Sequence, residues 1–480
     1  MKVTGRGSAL PKKGEARGGN TPVKVVASNN GCYASLSDFH KHELRGMRAE
    51  LNIRPQSRLE GVRLQPYKIY KEDKDTIILP RHWASQHVDL EVEFEYAQMT
   101  TINIRWDEQL CRLCTKKRQD EQVECVMRGM RSYYGGVLSV PCGYGKTTVA
   151  LHIASRLACR TIIVVHKEFL MHQWIDRIHS LYPDCTIGRI QGDTMDTNAD
   201  FVVAMLQTLA KRAYTPSLFR SIGFAIFDEC HLVSTQHFSR ALMSICCKHV
   251  LGLSATPHRP DGTWCVIEHF LGPVLFQCDR SNDAKCVDID YVNSGVAVQL
   301  QLNKKGNVNF AQMINDLCSH HERNSLLLNA ALRCIKNGHK LLILTDRREH
   351  VQALVELLSS SGVTASEYLG GMKQGDLEIS SQSQAIVATF PMASTGLDIP
   401  SLSALLLATP HVEIEQAVGR IMRADHDQHL VIDVVDDMSV TYCQWRKRKT
   451  WYRKQGYQIR TERDRPDGGA PATQAFGFLD

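Results

Sequence analysis

Eight residues, Pro141-Cys142-Gly143-Tyr144-Gly145-Lys146-Thr147-Thr148, constrain this chain more than any other stretch. An apolar run at 137–140 leads into them and a helical pattern at 149–157 leads out. Strand, glycine-bent loop, Lys-Thr and helix, in that order, make a cradle for nucleotide phosphates. The glycines let successive backbone N–H groups converge on an anion, and the helix start adds partial positive charge. Lys146 is suited to the β- and γ-phosphates, and the Thr147 hydroxyl to Mg²⁺. All eight residues, Thr148 included, are therefore the expected ATP-binding loop. The general pattern G-x-x-x-x-G-K-[ST] wants a glycine where Val140 stands, so the loop alone does not settle the matter.

At 480 residues the chain has room for two to four domains of about 100–200 residues each. No apolar run approaches the roughly 20 residues that span a bilayer. Residues 1–24 are rich in Gly, Lys and Arg and lack the apolar core of a secretory signal. A formal net charge of +6 is too mild to name a polyanion partner. Sixteen cysteines in a chain this long read as reduced thiols, and an intracellular, non-secreted protein is expected. Cys111, Cys114 and Cys125, or Cys318 with His320 and His321, do not complete the four ligands of a structural zinc site, so packing is their expected role.

Residues 1–24 are expected to be a disordered basic tail and 25–100 a small accessory domain. In the latter, 76–80 reads as a strand ended by proline and 91–96 as a half-buried strand. From 101 to 278, apolar strands at 137–140, 161–165, 201–205, 224–227 and 250–253 alternate with helices such as 168–180 and 238–247. From 279 to 460, strands at 341–344, 385–388, 404–407 and 430–435 alternate with helices at 310–336, 349–360 and 413–422. Residues 461–480 are expected to be a disordered tail. The class is α/β: two blocks of parallel sheet covered on both faces, with a small N-terminal α+β domain. Only the first block carries a cradle.

After the apolar run 224–227 come Asp228-Glu229-Cys230-His231. Taken alone, two carboxylates at a strand end are a solvated turn. Downstream of a cradle in the same block, Asp228 is placed to hold Mg²⁺ and Glu229 to position or deprotonate the attacking water. The next apolar strand ends in Ser254-Ala255-Thr256-Pro257. Cradle, Asp-Glu-Cys-His and Ser-Ala-Thr in this order resemble a superfamily 2 helicase, whose fold is a pair of RecA-like domains.

The resemblance continues. The segment 388–400 resembles motif V, and Gln416-Ala417-Val418-Gly419-Arg420-Ile421-Met422-Arg423 resembles motif VI. It implies ATP and Mg²⁺ as cofactors, with Gln416, Arg420, Arg423, Gly396 and Asp398 serving the nucleotide from the second block. A planar guanidinium suits the equatorial oxygens of a γ-phosphate. His166, Gln207, Thr208 and Thr389 match segments that contact nucleic acid. Gln122 is the first choice for the adenine-reading glutamine, and Gln119 its rival. The segment 254–262, with Phe270-Leu271-Gly272-Pro273, resembles the branch of the DNA translocase subunit of TFIIH and the large-DNA-virus helicases, including the poxvirus-type transcript-release helicase. That branch implies DNA rather than RNA as the track, 3′ to 5′ movement, a viral setting in virion or host cell, and RNA polymerase or other transcription machinery as partner. The alternatives are an RNA helicase, or a scaffold that binds ATP without turnover. No membrane partner is expected, and nothing indicates the oligomeric state.

The run 445–457 mixes cations with aromatics. Arg446, Lys447 and Arg448 are expected to meet nucleic-acid phosphates, while Trp445, Trp451 and Tyr452, which cannot form one continuous helical stripe, are expected mainly to pack. Cys142 is expected to be an ordinary small loop residue, although a modified thiol there would block ATP.

Overall fold

The computed structural model describes residues 22–461 except 30, 57–63, 88–89, 97–98, 107–116, 142–143, 213, 256, 258, 260, 279–286, 303–307, 396, 398, 423, 425 and 427. Both expected tails, apart from residues 22–24 and 461, and the Cys111/Cys114 pair thus lie outside the described residues. The chain divides into two compact units, 1–278 and 279–480.

The first unit is built on an eight-stranded sheet in the order Thr194–Met195, Ile187–Gln191, Phe201–Met205, Thr161–Val165, Phe224–Phe227, His249–Ser254, Gly135–Ser139, Val274–Gln277. All pairings are parallel except that of Thr194–Met195 with its neighbour. The continuous apolar runs have a direct cause. Along Thr161–Val165, Ile162 and Val164 enter one buried cluster while Ile163 and Val165 enter another, so both faces of the strand are covered.

In the same unit a five-stranded sheet, ordered Lys71–Glu72, Thr76–Leu79, Gly31–Ser35, Val23–Ser28, Leu90–Glu95, shares the eight-stranded sheet's buried cluster. Its apolar residues Val25, Ile77 and Leu79 belong to the same cluster as Phe227 and Val266. Arg81 pins the junction: its Nη1 donates to the carbonyls of Cys247 at 2.9 Å and Lys248 at 2.8 Å, and to the Tyr96 hydroxyl at 3.0 Å.

The second unit is an all-parallel seven-stranded sheet, Ala365–Tyr368, Ala385–Thr389, Leu341–Thr345, Ala404–Leu407, His429–Val435, Val287–Asn293, Gln458–Arg460. It too buries both faces. Several expected elements change. The helix expected over 310–336 is two, Phe310–Ser319 and His321–Lys336, because His320 is extended at φ −75°, ψ 115°. No Pro or Gly marks that break. The helix expected over 238–247 shortens to Ser239–Ser244. As expected, the three aromatics of the helix Ser439–Lys454 form no single stripe and mainly pack: Trp445 and Tyr452, seven residues apart, share one face and are buried at 4% and 0% exposure, while Trp451 is half-buried beside them.

Arg448 lies on that same buried face, and this overturns its expected phosphate contact. Its Nη2 and Nε bind Asp433 at 2.7 and 2.8 Å, and its Nη1 donates to the His411 carbonyl at 2.7 Å. Tyr452 donates its hydroxyl to the same Asp433 at 2.9 Å.

Candidate nucleotide site

The loop after Gly135–Ser139 turns into the helix Lys146–Leu157 through Gly145, whose φ of +76° is left-handed and suits glycine. Lys146 and Thr147 are half-buried at the helix start, Tyr144 and Pro141 flank the loop, and Thr148 is buried. Cys142 and Gly143 lie outside the described residues.

The helix Lys117–Tyr133 lays the Gln119 side chain across this loop, with its Nε2 against Gly145 so closely that a Cβ there would strike it. Gln122, one turn further on, is 1% exposed and its Oε1 has no hydrogen-bond partner among the described residues. Gln119 Oε1 is likewise without a partner among the described residues, and of the two glutamines it is the rival, Gln119, that lies directly against the cradle loop.

The strand Phe224–Phe227 delivers the two carboxylates. Glu229 sits at φ 47°, ψ 51°, a left-handed conformation uncommon for a side chain of its size, of the strained kind that gathers at functional sites. Its carboxylate is 3.8 Å from Lys146 Nζ and 3.3 Å from His231 Nδ1, which stands 3.4 Å from Ser254 Oγ. Asp228 accepts hydrogen bonds from Trp174 Nε1 at 2.9 Å and from the Glu229 N–H at 3.0 Å. The two acids respond differently to one environment. Burial, then the Glu229 charge, push the Asp228 carboxyl up. Burial also works against the Glu229 charge, but Lys146 and then His231 outweigh it and draw that carboxyl below its usual range.

Trp174 has a role that the residue types alone did not indicate. Its N–H favours the charged form of Asp228. In Trp174→Phe the Asp228 pKa climbs further, so the acid limb of the pH–rate profile for ATP turnover moves to higher pH. Turnover at neutral pH falls roughly tenfold, the worth of one charged hydrogen bond of about 1.5 kcal/mol. An unmoved acid limb would show that the indole serves packing alone.

A brace sits behind the acidic pair. Arg259 Nη1 donates to the His231 carbonyl at 2.8 Å, while its Nη2 and Nε bind Asp261 at 2.5 and 3.1 Å. The Asp261 carbonyl accepts from the Gln56 N–H at 2.9 Å, and Tyr67 donates its hydroxyl to the Ser234 carbonyl. The N-terminal sheet region is thus tied to the loop that holds His231. Thr256, His258 and Pro260 lie outside the described residues.

His166, Gln207 and Thr208 come together at adjacent strand ends. Gln207 Nε2 donates to the His166 carbonyl at 2.6 Å, and Thr208 Oγ1 accepts from the Gly192 N–H at 3.2 Å. Burial pushes His166 down to about 4, so it is neutral near pH 7.

In the second unit, Arg420 is 8% exposed and its Nε donates to the Ala393 carbonyl at 2.6 Å, joining the helix Glu415–Ile421 to Phe390–Thr395. Gln416 is half-buried on the same helix, and Thr389 half-buried at its strand end. Gly396, Asp398 and Arg423 lie outside the described residues.

Among the described residues no three His, Cys, Asp or Glu side chains gather as a metal cage. Mg²⁺ fits here nonetheless, because it commonly takes one or two protein ligands and completes its shell with phosphates and water. Thr147 and Asp228 would be those ligands.

Residues 106–259 match the family model described as the type III restriction enzyme res subunit. A protein of Acanthamoeba polyphaga mimivirus, named as an ATP-dependent RNA helicase, is 35% identical over 345 residues, covering 70% of this chain and 66% of its own length. A protein of frog virus 3, named as a helicase, is 28% identical over 70% of this chain and 77% of its own. One from African swine fever virus, named as an ATP-dependent RNA helicase, is 26% identical over 71% of this chain and 73% of its own.

Proposed function

We propose that this chain is a superfamily 2 helicase that hydrolyses ATP to move along or unwind nucleic acid. The observation that carries this is the arrangement of Lys146, Asp228, Glu229 and His231 around a phosphate cradle. Lys146 and the loop N–H groups bind the phosphates. Gln119 reads the base. Glu229, held as a carboxylate, accepts a proton from the attacking water. Mg²⁺, when bound at Thr147 and Asp228, supplies charge neutralisation at the phosphates. On the motif match, Arg420 and Arg423 stabilise the γ-phosphate, with Gln416, Gly396 and Asp398 beside them.

Contacts from Gln207, Thr208 and Thr389 go to the nucleic-acid backbone, which makes binding independent of sequence. DNA as the track, and a role in viral transcript release, are supported by the likeness of 254–262 to the TFIIH-translocase branch. RNA is the second reading, favoured by the names of the mimivirus and African swine fever virus relatives.

The test is ATP turnover alone and with single-stranded DNA, duplex DNA and RNA. Stimulation by one of these is expected, and Lys146→Ala lowers the stimulated rate at least about 100-fold. Equal rates with and without every nucleic acid, and in the variant, would overturn the reading. The nucleic acid that stimulates most identifies the track.

A further inference from the structure

We propose that the solvent face of the C-terminal helix Ser439–Lys454 is an additional docking surface for the phosphate backbone of nucleic acid. The inference rests on the reading of the chain as a nucleic-acid motor, and locates a contact that its motif segments do not provide. The helix has two distinct sides. Thr441, Trp445, Arg448 and Tyr452 are buried, and the bidentate pair of Arg448 with Asp433 fixes which side faces inward. On the outward side, Tyr442, Arg446 and Arg453 stand at i, i+4 and i+11 and form one row. Cys443, Lys447 and Lys454 repeat that spacing and form the next. All six are exposed, and Tyr442 shows 52% of its surface.

The four cations have no carboxylate partner among the described residues. The sequence carries no acid between Asp437 and Glu462 to neutralise them. From Arg446 to Lys454 the rows run about 12 Å along the axis at about 1.5 Å per residue. That length faces several phosphates, since a strand of duplex carries one per about 3.4 Å of axis. Tyr442, in line with two arginines, offers a ring on which an unpaired base can stack. A helix lying on an anionic membrane would instead need Leu, Phe or Trp on its outward side, and this one has none there.

The test uses the full chain with Arg446, Lys447, Arg453 and Lys454 all changed to Gln. Binding of a fluorescent oligothymidylate and of a matching RNA is followed by anisotropy over a range of salt. The variant is expected to lose about tenfold or more in affinity at low salt. The slope of log affinity against log salt becomes shallower by roughly two to three, at about 0.7 per lost cation. Its melting temperature stays that of the parent, because none of the four side chains is buried. Tyr442→Ala is expected to weaken single-strand binding about five- to tenfold without altering the slope. Unchanged affinity and slope in the fourfold variant would overturn the proposal and leave a solvated face. So would loss of binding to phosphatidylserine vesicles with nucleic-acid binding intact. A parent chain that binds neither oligonucleotide overturns the motor reading itself, an outcome distinct from equal binding by parent and variant.

Discussion

Glu229→Gln is expected to bind ATP as the parent does and to turn it over about 10²–10⁴-fold more slowly, the usual range for losing a general base. Glutamine keeps the shape but accepts no proton, and it removes the charge that Lys146 and His231 face at 3.8 and 3.3 Å. A second, opposite effect follows. The Glu229 charge is one of the two main causes that hold the Asp228 carboxyl up. Without it Asp228 ionises more readily, so Mg²⁺-dependent nucleotide binding in the variant extends to lower pH than in the parent. Binding by fluorescent nucleotide and turnover by phosphate release, each across pH, separate the two effects. Parental turnover in the variant would remove Glu229 from the chemistry and support the scaffold reading instead.

Arg448→Met is expected to destabilise the second unit by about 3–5 kcal/mol, because it leaves Asp433 charged and buried with only the Tyr452 hydroxyl and no cation beside it. For a unit of this size that is a fall in melting temperature of roughly 6–20 °C, at about 2–4 °C per kcal/mol. Pairing the change with Asp433→Leu is expected to recover much of the loss, since two apolar residues leave no stranded charge. Calorimetry of the parent, single and double variants measures this. A melting temperature within a degree or two of the parent's would mean that the pair contributes nothing. The same substitution one residue earlier, Lys447→Met, removes an exposed cation and leaves stability within about 0.5 kcal/mol.

That contrast between neighbours explains what the sequence could show. Arg446, Lys447 and Arg448 look alike in a string of letters, and only the packing of the helix on Asp433 separates the structural cation from the exposed two. The cradle and the Asp228-Glu229 pair were legible because their chemistry is local: loop, strand end and helix start lie within a few residues. Strands buried on both faces were equally legible from their unbroken Val and Ile runs, such as Thr161–Val165. Weakly apolar strands such as Ala365–Tyr368 were not, because all residues of that strand but the last, Tyr368, are only partly covered. That Gln119 rather than Gln122 lies against Gly145 depends on how far along the cradle loop this helix is set, a placement that the sequence does not record. The Trp174 contact to Asp228 joins residues 54 positions apart and needed the sheet to bring them together.

The N-terminal sheet bears on how this protein can be divided. Its Val25, Ile77 and Leu79 share one continuous apolar cluster with Phe227 and Val266, and the neighbouring Tyr67 and Gln56 bind the loop behind the acidic pair. There is no seam here along which evolution or an experimenter could trim the chain and keep the eight-stranded sheet sound. Removing residues 22–96 would bare an apolar flank of the eight-stranded sheet, which is expected to melt and aggregate without that cover.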